Sequence, residues 1–272
     1  MSLEHDALAR SFADICLKAA IEVMDVYDSG FVVTSKDDRS PVTAADTRAE
    51  AVILEALAKV MPGVPVLAEE SFSAGFRPDI EREFLLVDPV DGTKEFINRN
   101  GEFTINIALI SGRVPVAGCV YAPALKRIYL GGRAGLSGDA APGSRLDDAT
   151  LAPLKARVMP ETERVAVMSR SHADERTRAF ALSQGAAAAV NAGSSLKFCL
   201  VAEGKADLYP RFGPTMEWDT GAGHAVLIAA GGSVTGPDGS PFLYGKTEQG
   251  YLNGCFVARG RLPSAPDSHV RL

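Results

Sequence analysis

Hydrophobic residues recur at steps of three and four near the start of the chain, the spacing that places side chains on one face of a helix. Asp28-Ser29-Gly30 supplies the polar and flexible residues that end such a helix. A second helix is predicted over 47–60, between Asp46 and the stop signal Met61-Pro62-Gly63. The apolar face of the first helix consists of Leu8, Phe12, Ile15, Ala19, Val23 and Val26.

Strands are predicted where apolar runs are short or alternate with polar residues. Residues 84–87 form a continuous apolar run, whereas residues 103–109 alternate polar and apolar side chains, as a half-buried strand does. Antiparallel partners of the second strand are predicted at 114–121 and 127–130. A further strand at 64–68 leads directly into the acidic pair Glu69-Glu70.

The second half of the chain alternates short strands with helices. Its helices are predicted over 174–184, 195–202 and 219–230. The strands are expected at 165–168, 206–209, around 237–239 and at 256–258.

The order of these elements indicates an α/β (α+β) fold with two subdomains, whose cleft is the expected ligand site. Residues 131–160 are rich in Gly, Ala, Pro and charge, as a linker or irregular excursion is. We therefore predict an N-terminal α+β subdomain over 1–135, which carries most of the metal ligands. A variable excursion or linker over 136–160 separates it from a C-terminal α/β subdomain over 161–272.

Composition narrows the class of protein. Of the 272 residues, 46% are hydrophobic and 23% charged, which is typical of a globular chain. The net charge is −6, and Lys and Arg form no stripe, so nucleic acid is not an expected partner. No signal peptide and no long apolar span is recognisable, and we expect a cytoplasmic protein without a transmembrane segment. Four single cysteines are expected to be buried free thiols: Cys16, Cys119, Cys199 and Cys255.

The strand at 84–87 leads into the acidic sequence Asp88-Pro89-Val90-Asp91-Gly92-Thr93. Pro89 restricts the backbone between the two carboxylates, so that a turn there can direct both carboxylates and the Val90 carbonyl at one point. Hard oxygen ligands of this kind suit Mg²⁺, which is commonly shared with a substrate phosphate. Gly92 and Thr93 then begin a predicted helix over 94–98, whose free N–H groups favour an anion.

Taken singly, each acidic residue has an ordinary explanation. An Asp-Gly pair is a common turn, an exposed Glu pair is usually solvated, and Asp46 and Asp219 could simply cap their helices. Taken together they indicate a site, because each lies at a strand end or a helix start, where side chains can converge. The set comprises Asp46, Glu69, Asp88, Asp91 and Asp219.

With these motifs the chain resembles the inositol-monophosphatase-like superfamily, whose Asp-Pro-hydrophobic-Asp-Gly-Thr and Trp-Asp motifs match residues 88–93 and 218–219. The resemblance is closer to one branch, the bacterial 3′(2′),5′-bisphosphate nucleotidases of the CysQ type. One departure is Gly221, where the family usually has Ala. The stretches that carry the branch resemblance are 40–46, 91–97, 99–104, 169–174, 193–199 and 208–214.

The resemblance implies a layered αβαβα sugar-phosphatase-like fold and two or three Mg²⁺ ions per site. It also implies that Asp46 and Thr93 orient and deprotonate the attacking water, and that Glu69 assists through its metal. The catalytic residues are therefore Asp46, Glu69 and Thr93, and the metal ligands are Glu69, Asp88, the Val90 carbonyl, Asp91 and Asp219.

By the same resemblance, the substrate is adenosine 3′,5′-bisphosphate (PAP), which is hydrolysed to AMP and phosphate, and its sulfated precursor PAPS is a second candidate. Two basic groups suit a bisphosphate better than a sugar monophosphate. An inositol or sugar phosphatase of the same fold is the main alternative, followed by a PAP sensor without turnover. The implied substrate contacts are Val90, Asp91, Gly92, Thr93, His172, Ser194, Lys197, Arg211 and Asp219.

Two properties of the whole protein also follow from the resemblance, and two others do not. Li⁺ should inhibit the enzyme by displacing one Mg²⁺, and the role should lie in sulfur assimilation. Peripheral association with the inner face of the membrane and the choice between monomer and homodimer both stay open.

Overall fold

The computed structural model describes residues 2–29, 34–35, 41–42, 44–80, 82–146, 151–169 and 174–263. Two helices open the chain, and both confirm the hydrophobic periodicity. Helix α1 spans Ser2–Ser29 and α2 spans Ala44–Val60. Asp46 lies in the first turn of α2 and not before it, because the helix begins at Ala44, three residues earlier than predicted. Between them, β1 (Thr34–Ser35) and β2 (Pro41–Val42) form a small antiparallel pair.

A seven-stranded sheet follows, in the order β3-β4-β5-β6-β7-β8-β9. The β3–β4 pair is parallel, and all later neighbours are antiparallel, as hairpin connections allow. Two short helices, α3 and α4, flank β4 in the chain. The bounds are β3 Val66–Ala68, α3 Glu69–Ser73, β4 Glu83–Asp91, α4 Thr93–Ile97, β5 Thr104–Ser111, β6 Val114–Ala122, β7 Arg127–Gly131, β8 Gly135–Asp139 and β9 Leu151–Leu154.

A second sheet of five strands has the order β11-β10-β12-β14-β13. Strands β11, β10 and β12 run parallel, and β14 is antiparallel to its neighbours β12 and β13. Three helices belong to this half of the chain. The bounds are β10 Arg164–Ser169, α5 Glu175–Ser183, β11 Ala186–Ala192, α6 Leu196–Ala202, β12 Leu208–Arg211, α7 Gly221–Ala229, β13 Ser233–Thr235 and β14 Phe256–Arg259.

The elements stack in five layers, which confirms the predicted αβαβα arrangement. Helices α1 and α2 cover one face of the seven-stranded sheet, and α7 packs on its other face. Helix α6 lies beside α7 and contacts the five-stranded sheet, and α5 covers the far side of that sheet. One apolar cluster contains residues from both sheets and from α6 and α7, so the middle layer joins the two halves.

The segment 136–160 differs from the excursion predicted there. Strands β8 and β9 extend the first sheet through this segment, and only 147–150 falls outside the described residues. Glycine and alanine have little intrinsic strand preference, and backbone pairing with β7 decides the structure here. The division into two subdomains at these boundaries remains a prediction.

Two features of the composition have structural counterparts. All four cysteines are free, and Cys16, Cys119 and Cys199 are buried, as expected, whereas Cys255 is only half-buried. Within the described ranges, we find no helix with both the length and the apolar character needed to cross a bilayer. The long helix α1 is amphipathic, with Phe12, Leu17 and Val23 fully buried.

Candidate active site

Strand β4 carries the acidic motif through to its last residue. Asp88 pairs with Asn106 of β5, and Asp91 pairs with Thr104, so one extra residue is accommodated between them. Such a bulge turns neighbouring side chains to new directions. The motif is therefore a bulged strand and not the tight turn predicted after residue 87. The backbone N–H of Val90 donates to Asp88 Oδ1 at 3.1 Å, which fixes the buried Asp88 carboxylate.

Gly92 connects this strand to α4, with a left-handed φ of 91°. A Cβ atom at this position would lie 3.2 Å from Ser194 Cβ and 3.3 Å from Glu95 Oε2. Glycine therefore satisfies the backbone conformation and also leaves room for the start of α6. Thr93 is the first residue of α4 and borders the same cavity as Asp91.

Helix α2 supplies two carboxylates with different partners. Asp46 is buried and borders the cavity, whereas Glu50, one turn later, is directed at α3. Its two oxygens accept hydrogen bonds from the backbone N–H groups of Glu70 and Ser71, both at 2.8 Å. Free N–H groups at a helix start need such acceptors. Glu50 thereby fixes the short helix that begins with Glu69 and presents it to the site.

Asp219 reaches the cavity from the opposite end of the sequence, just before α7. Its Oδ2 accepts from the backbone N–H of Met216 at 2.7 Å, which holds the carboxylate at the start of the helix. Its own backbone carbonyl accepts from Ser195 Oγ at 3.0 Å. The start of α7 and the start of α6 are therefore joined directly beside the acidic motif.

Two basic side chains share this cavity. Lys197 is buried on α6, and its Nζ donates to the backbone carbonyl of Ser194 at 2.5 Å. Arg211, at the end of β12, donates from Nη2 to the Pro214 carbonyl, and its buried Nε has no partner among the described residues. Burial lowers the pKa of Lys197 to about 8, although Asp91 acts against this shift. Both groups can still donate to an anionic ligand.

The cavity has a volume of about 390 Å³ and brings most of the predicted residues together. His172 lies outside the described residues, so its predicted contact stays a prediction. The structure also adds side chains that were not among the predicted site residues, including Glu95, Tyr209 and Thr215. The predicted residues that border the cavity are Asp46, Glu69, Asp88, Val90, Asp91, Gly92, Thr93, Ser194, Lys197, Arg211 and Asp219.

Four residues in or beside the cavity were not predicted as site residues, because they lie outside the acidic motifs. Thr104 and Asn106 of β5 are fully buried, whereas the alternation predicted a strand with one polar face exposed. Ser195 and Glu95 each follow a motif residue by one or two positions. The signal in the sequence was present, since polar residues at alternate positions of a central strand need buried partners.

Burial, followed by mutual repulsion of the carboxylates, dominates the electrostatics of the site. Burial, and then the charge of Asp91, raises the pKa of Asp219 to about 7. Burial followed by the Asp219 charge raises the pKa of Glu69, and burial followed by the Glu69 charge raises that of Asp88. Clustered buried carboxylates are unfavourable without cations, so this donor set fits a divalent metal.

The chemistry of the donors also indicates which kind of metal fits. Among the described residues, no group of three or more His, Cys, Asp or Glu side chains is close enough together to hold a metal ion without ligands from elsewhere or a shift of these side chains. An open set of oxygen donors suits Mg²⁺, which keeps several of its waters and takes further ligands from a substrate phosphate.

The layered fold and the carboxylate cavity are those of a phosphatase of the inositol monophosphatase family, and the chain belongs to this family, whose sequence profile matches residues 6–260. It is similar to the 3′(2′),5′-bisphosphate nucleotidase CysQ of Salmonella typhimurium, with 46% identity over 233 residues, or 85% of this chain and 91% of the relative. The CysQ nucleotidase of Buchnera aphidicola is 38% identical over 87% of each chain.

Solved structures agree with the sequence relatives. CysQ from Bacteroides thetaiotaomicron superposes with a TM-score of 0.77 at 36% identity, covering 95% of this chain and 99% of the other. An inositol monophosphatase from Anabaena superposes with a TM-score of 0.71 at 24% identity, covering 94% and 91% of the two chains. The second likeness shows the shared fold alone.

Proposed function

We propose that this protein hydrolyses the 3′-phosphate of PAP, with water, to AMP and inorganic phosphate. The observation that carries the proposal is the presence of Lys197 and Arg211 in the same cavity as the clustered carboxylates. A substrate with two phosphates needs cationic donors for the phosphate that is not cleaved. The relatives named as bisphosphate nucleotidases support this choice over a sugar monophosphate.

We assign the metal-holding role to five oxygen donors and expect two or three Mg²⁺ ions there. The Val90 carbonyl joins four carboxylates in this set, which comprises Glu69, Asp88, Val90, Asp91 and Asp219. When bound, the ions neutralise the charge that the phosphate and its leaving oxygen carry in the transition state. The same charge would counteract the burial and the repulsion that together raise the pKa values of Glu69, Asp88 and Asp219.

The remaining residues orient groups and move a proton. Thr93 is positioned to orient the attacking water through its hydroxyl group, and the buried Asp46 is the acceptor for the proton of that water. The AMP hydroxyl formed on P–O cleavage takes up a proton, so the reaction consumes one water and releases AMP and phosphate. The N–H groups at the start of α4 can donate to the phosphate oxygens.

Lys197 and Arg211 are proposed to hold the 5′-phosphate, and His172 and Ser194 to contact the nucleoside. The hydroxyl of Ser194 already donates to Asp91 Oδ2 at 2.6 Å, so this residue also shapes the acidic motif. PAPS fits the same two-anion recognition and is the second candidate substrate.

Steady-state kinetics on PAP, PAPS, inositol 1-phosphate and fructose 1,6-bisphosphate, with Mg²⁺ varied, test the proposal. We expect the largest kcat/KM for PAP or PAPS, no turnover without a divalent cation, and inhibition by Li⁺ at millimolar levels. A clear preference for inositol 1-phosphate would contradict the nucleotidase assignment. Tight PAP binding without turnover would instead identify a sensor.

We further propose that the protein works in the cytoplasm. Its four cysteines are free, and three of them are buried, as is usual in a reducing compartment. Fractionation of the source cells, followed by detection of the protein in the soluble and membrane fractions, tests this location and any peripheral membrane association.

A further inference from the structure

Strand β5 has two polar side chains in the interior of the protein. Thr104 is 0% exposed and Asn106 is 1% exposed, although both belong to a strand whose other described residues are mostly apolar. Burying an amide or a hydroxyl is unfavourable unless each polar atom finds a hydrogen-bond partner. The partners of these two residues therefore indicate why they are polar.

Asn106 contacts two separate parts of the site. Its Nδ2 lies 3.4 Å from Asp91 Oδ2 and 3.2 Å from Ser195 Oγ, and both contacts are donations from the amide. Ser195 Oγ in turn donates to the backbone carbonyl of Asp219 at 3.0 Å. One asparagine side chain thus connects a carboxylate of the acidic motif with the start of α7.

Thr104 completes the arrangement. Its Oγ1 donates to Asn106 Oδ1 at 3.1 Å and lies 2.5 Å from Ser194 Oγ. Ser194 Oγ donates its single proton to Asp91 Oδ2 at 2.6 Å, so the one proton of Thr104 Oγ1 is shared between Asn106 Oδ1 and Ser194 Oγ. We call these four residues the β5 bridge: Thr104, Asn106, Ser194 and Ser195.

The hydrogen bonds of the β5 bridge fix the orientation of the Asn106 amide and of the Asp91 carboxylate. The NH₂ group of Asn106 must face Asp91 and Ser195, because the Asp91 carboxylate can only accept, and the amide oxygen then faces Thr104. Both donations to Asp91 end on Oδ2, which leaves Oδ1 as the oxygen for a ligand in the cavity. A carboxylate held in this way is fixed in rotation before any cation arrives.

We propose that Thr104 and Asn106 are positioning residues for the cation site. They hold the Asp91 carboxylate and, through Ser195, the backbone of Asp219 in one fixed arrangement. Asp91 and Asp219 are far apart in sequence, and the β5 bridge is a direct polar connection between their elements. The inference rests on the proposed function only in assigning Asp91 and Asp219 to a metal.

Matched substitutions of Thr104 test the proposal. Thr104→Val keeps the shape of the side chain and removes the hydroxyl, whereas Thr104→Ser keeps the hydroxyl. Isothermal titration with Mg²⁺ alone should give about tenfold weaker binding for Thr104→Val, which corresponds to ~1.4 kcal/mol. Thr104→Ser should bind with the wild-type dissociation constant. The melting temperature with and without Mg²⁺ gives a second readout on the same proteins.

Asn106→Leu is the second test, since leucine has a similar volume and no donors. It should also weaken Mg²⁺ binding about tenfold or more, because outer hydrogen-bond partners of metal ligands typically contribute 10–100-fold in affinity. Under saturating Mg²⁺, kcat should fall more than KM changes, because Lys197 and Arg211 still bind the second phosphate. If Asn106→Leu does not fold, the Thr104 pair decides by itself.

A control outside the cavity separates positioning from simple stability. Thr235 of β13 also uses its hydroxyl, which accepts from Arg259 Nη1 at 2.9 Å. Thr235→Val should lower the melting temperature at most and leave Mg²⁺ affinity unchanged. The proposal is overturned if Thr104→Val and Asn106→Leu bind Mg²⁺ like the wild type and only melt earlier. Failure of the wild type to hydrolyse PAP would contradict the proposed substrate and leave the Mg²⁺ result standing.

Discussion

Asp46 and Glu50 lie one helical turn apart on α2, and neighbouring groups give them separate tasks. The Glu50 carboxylate accepts hydrogen bonds from two backbone N–H groups and one hydroxyl at the start of α3. Both of its oxygens are therefore engaged within the protein. Asp46 borders the cavity together with Thr93, where a ligand can reach it. Both residues are carboxylates, so residue type alone could not distinguish their roles. The roles differ because Glu50 faces the start of α3, whereas Asp46 faces the cavity beside the start of α4.

Substitution of Asp46 or Thr93 should therefore affect the chemical step. We expect Asp46→Asn and Thr93→Ala to lower kcat by about 10²–10⁴-fold, the usual contribution of a positioned proton acceptor. Mg²⁺ affinity, measured by calorimetry on the same proteins, should stay near that of the wild type. Unchanged turnover in either variant would remove that residue from the mechanism.

Lys197 should discriminate between a bisphosphate and a monophosphate. Lys197→Gln is expected to raise KM for PAP by about 10–100-fold, since a hydrogen bond to a charged group contributes ~1.5–3 kcal/mol. The effect on 3′-AMP, which lacks the second phosphate, should be much smaller. Lys205→Gln, at an exposed lysine paired with Glu203, is the matched control. Equal losses on both substrates would place Lys197 elsewhere in the mechanism.

The pH dependence of PAP binding should depend on the same lysine. Because burial lowers the pKa of Lys197 to about 8, its charge is present below that pH and is lost above it. KM for PAP in the wild type should therefore rise as the pH increases through about 8. In Lys197→Gln this rise should be absent, which a KM profile from pH 6.5 to 9.5 measures directly.

At the scale of elements, the close approach of α7 to the first sheet places Asp219 beside β4. A Cβ atom on Gly131 of β7 would lie 2.5 Å from the backbone of Ala225, and one on Gly118 of β6 would lie 2.8 Å from Ala225 Cβ. Gly221 has the same role, since its Cβ would meet Leu86 Cδ1 at 2.7 Å. The glycine that lowers the helix propensity at residue 221 thus allows tight packing.

Gly131→Ala should push α7 away from the sheet, because the new methyl group meets backbone atoms that cannot rotate aside. Overpacking of this kind typically lowers the free energy of unfolding by about 1–3 kcal/mol. Denaturant titration should show this loss, together with weaker Mg²⁺ binding as Asp219 shifts. Gly254→Ala is the control, since no atom lies within 4 Å of its added Cβ. Wild-type stability of Gly131→Ala would show that α7 can move without loss.

The long apolar elements were predictable from sequence, because a helical or strand period repeats often enough to be recognised. Helices α1, α2, α6 and α7 and strands β4 to β7 belong to this group. Strands β8 and β11 were missed, since Gly, Ala and Ser contribute little preference and pairing partners decide. Strand β9 was missed because Pro153 disfavours a strand. In the site, the acidic motifs were predictable, whereas Thr104 and Asn106 depend on contacts from distant parts of the chain.

At the scale of the whole molecule, elements far apart in sequence bring together one cluster of acids that is unfavourable without cations. Strand β4, the helices α2, α3 and α4, and the residue just before the N-cap of α7 all contribute carboxylates. Each is buried or partly buried, and burial and like charges raise the pKa values of Glu69, Asp88 and Asp219. The cluster therefore destabilises the metal-free protein, as the residues of functional sites commonly do.

Without metal, replacement of Asp88 should make the protein more stable than the wild type. With Mg²⁺, it should make the protein less stable than the wild type. Asn keeps the oxygen that accepts the Val90 N–H, yet removes one buried charge. We expect Asp88→Asn to stabilise the metal-free protein by roughly 0.5–2 kcal/mol. In the wild type, Mg²⁺ at about a hundred times its dissociation constant should add ~2.7 kcal/mol. In Asp88→Asn this gain should be largely absent.

The sign of the pH effect follows from the direction of the pKa shift. Burial and the charge of Glu69 raise the pKa of Asp88, so its contribution to metal-free stability is present below the unfolded value of 3.8 and is lost as the pH rises through the raised pKa. The gain from Asp88→Asn in chelator should therefore be larger at pH 8 than at pH 5. Thermal unfolding at both pH values, with Asp139→Asn as an exposed control, measures it. A full Mg²⁺ shift in Asp88→Asn would show that Asp88 is not a ligand.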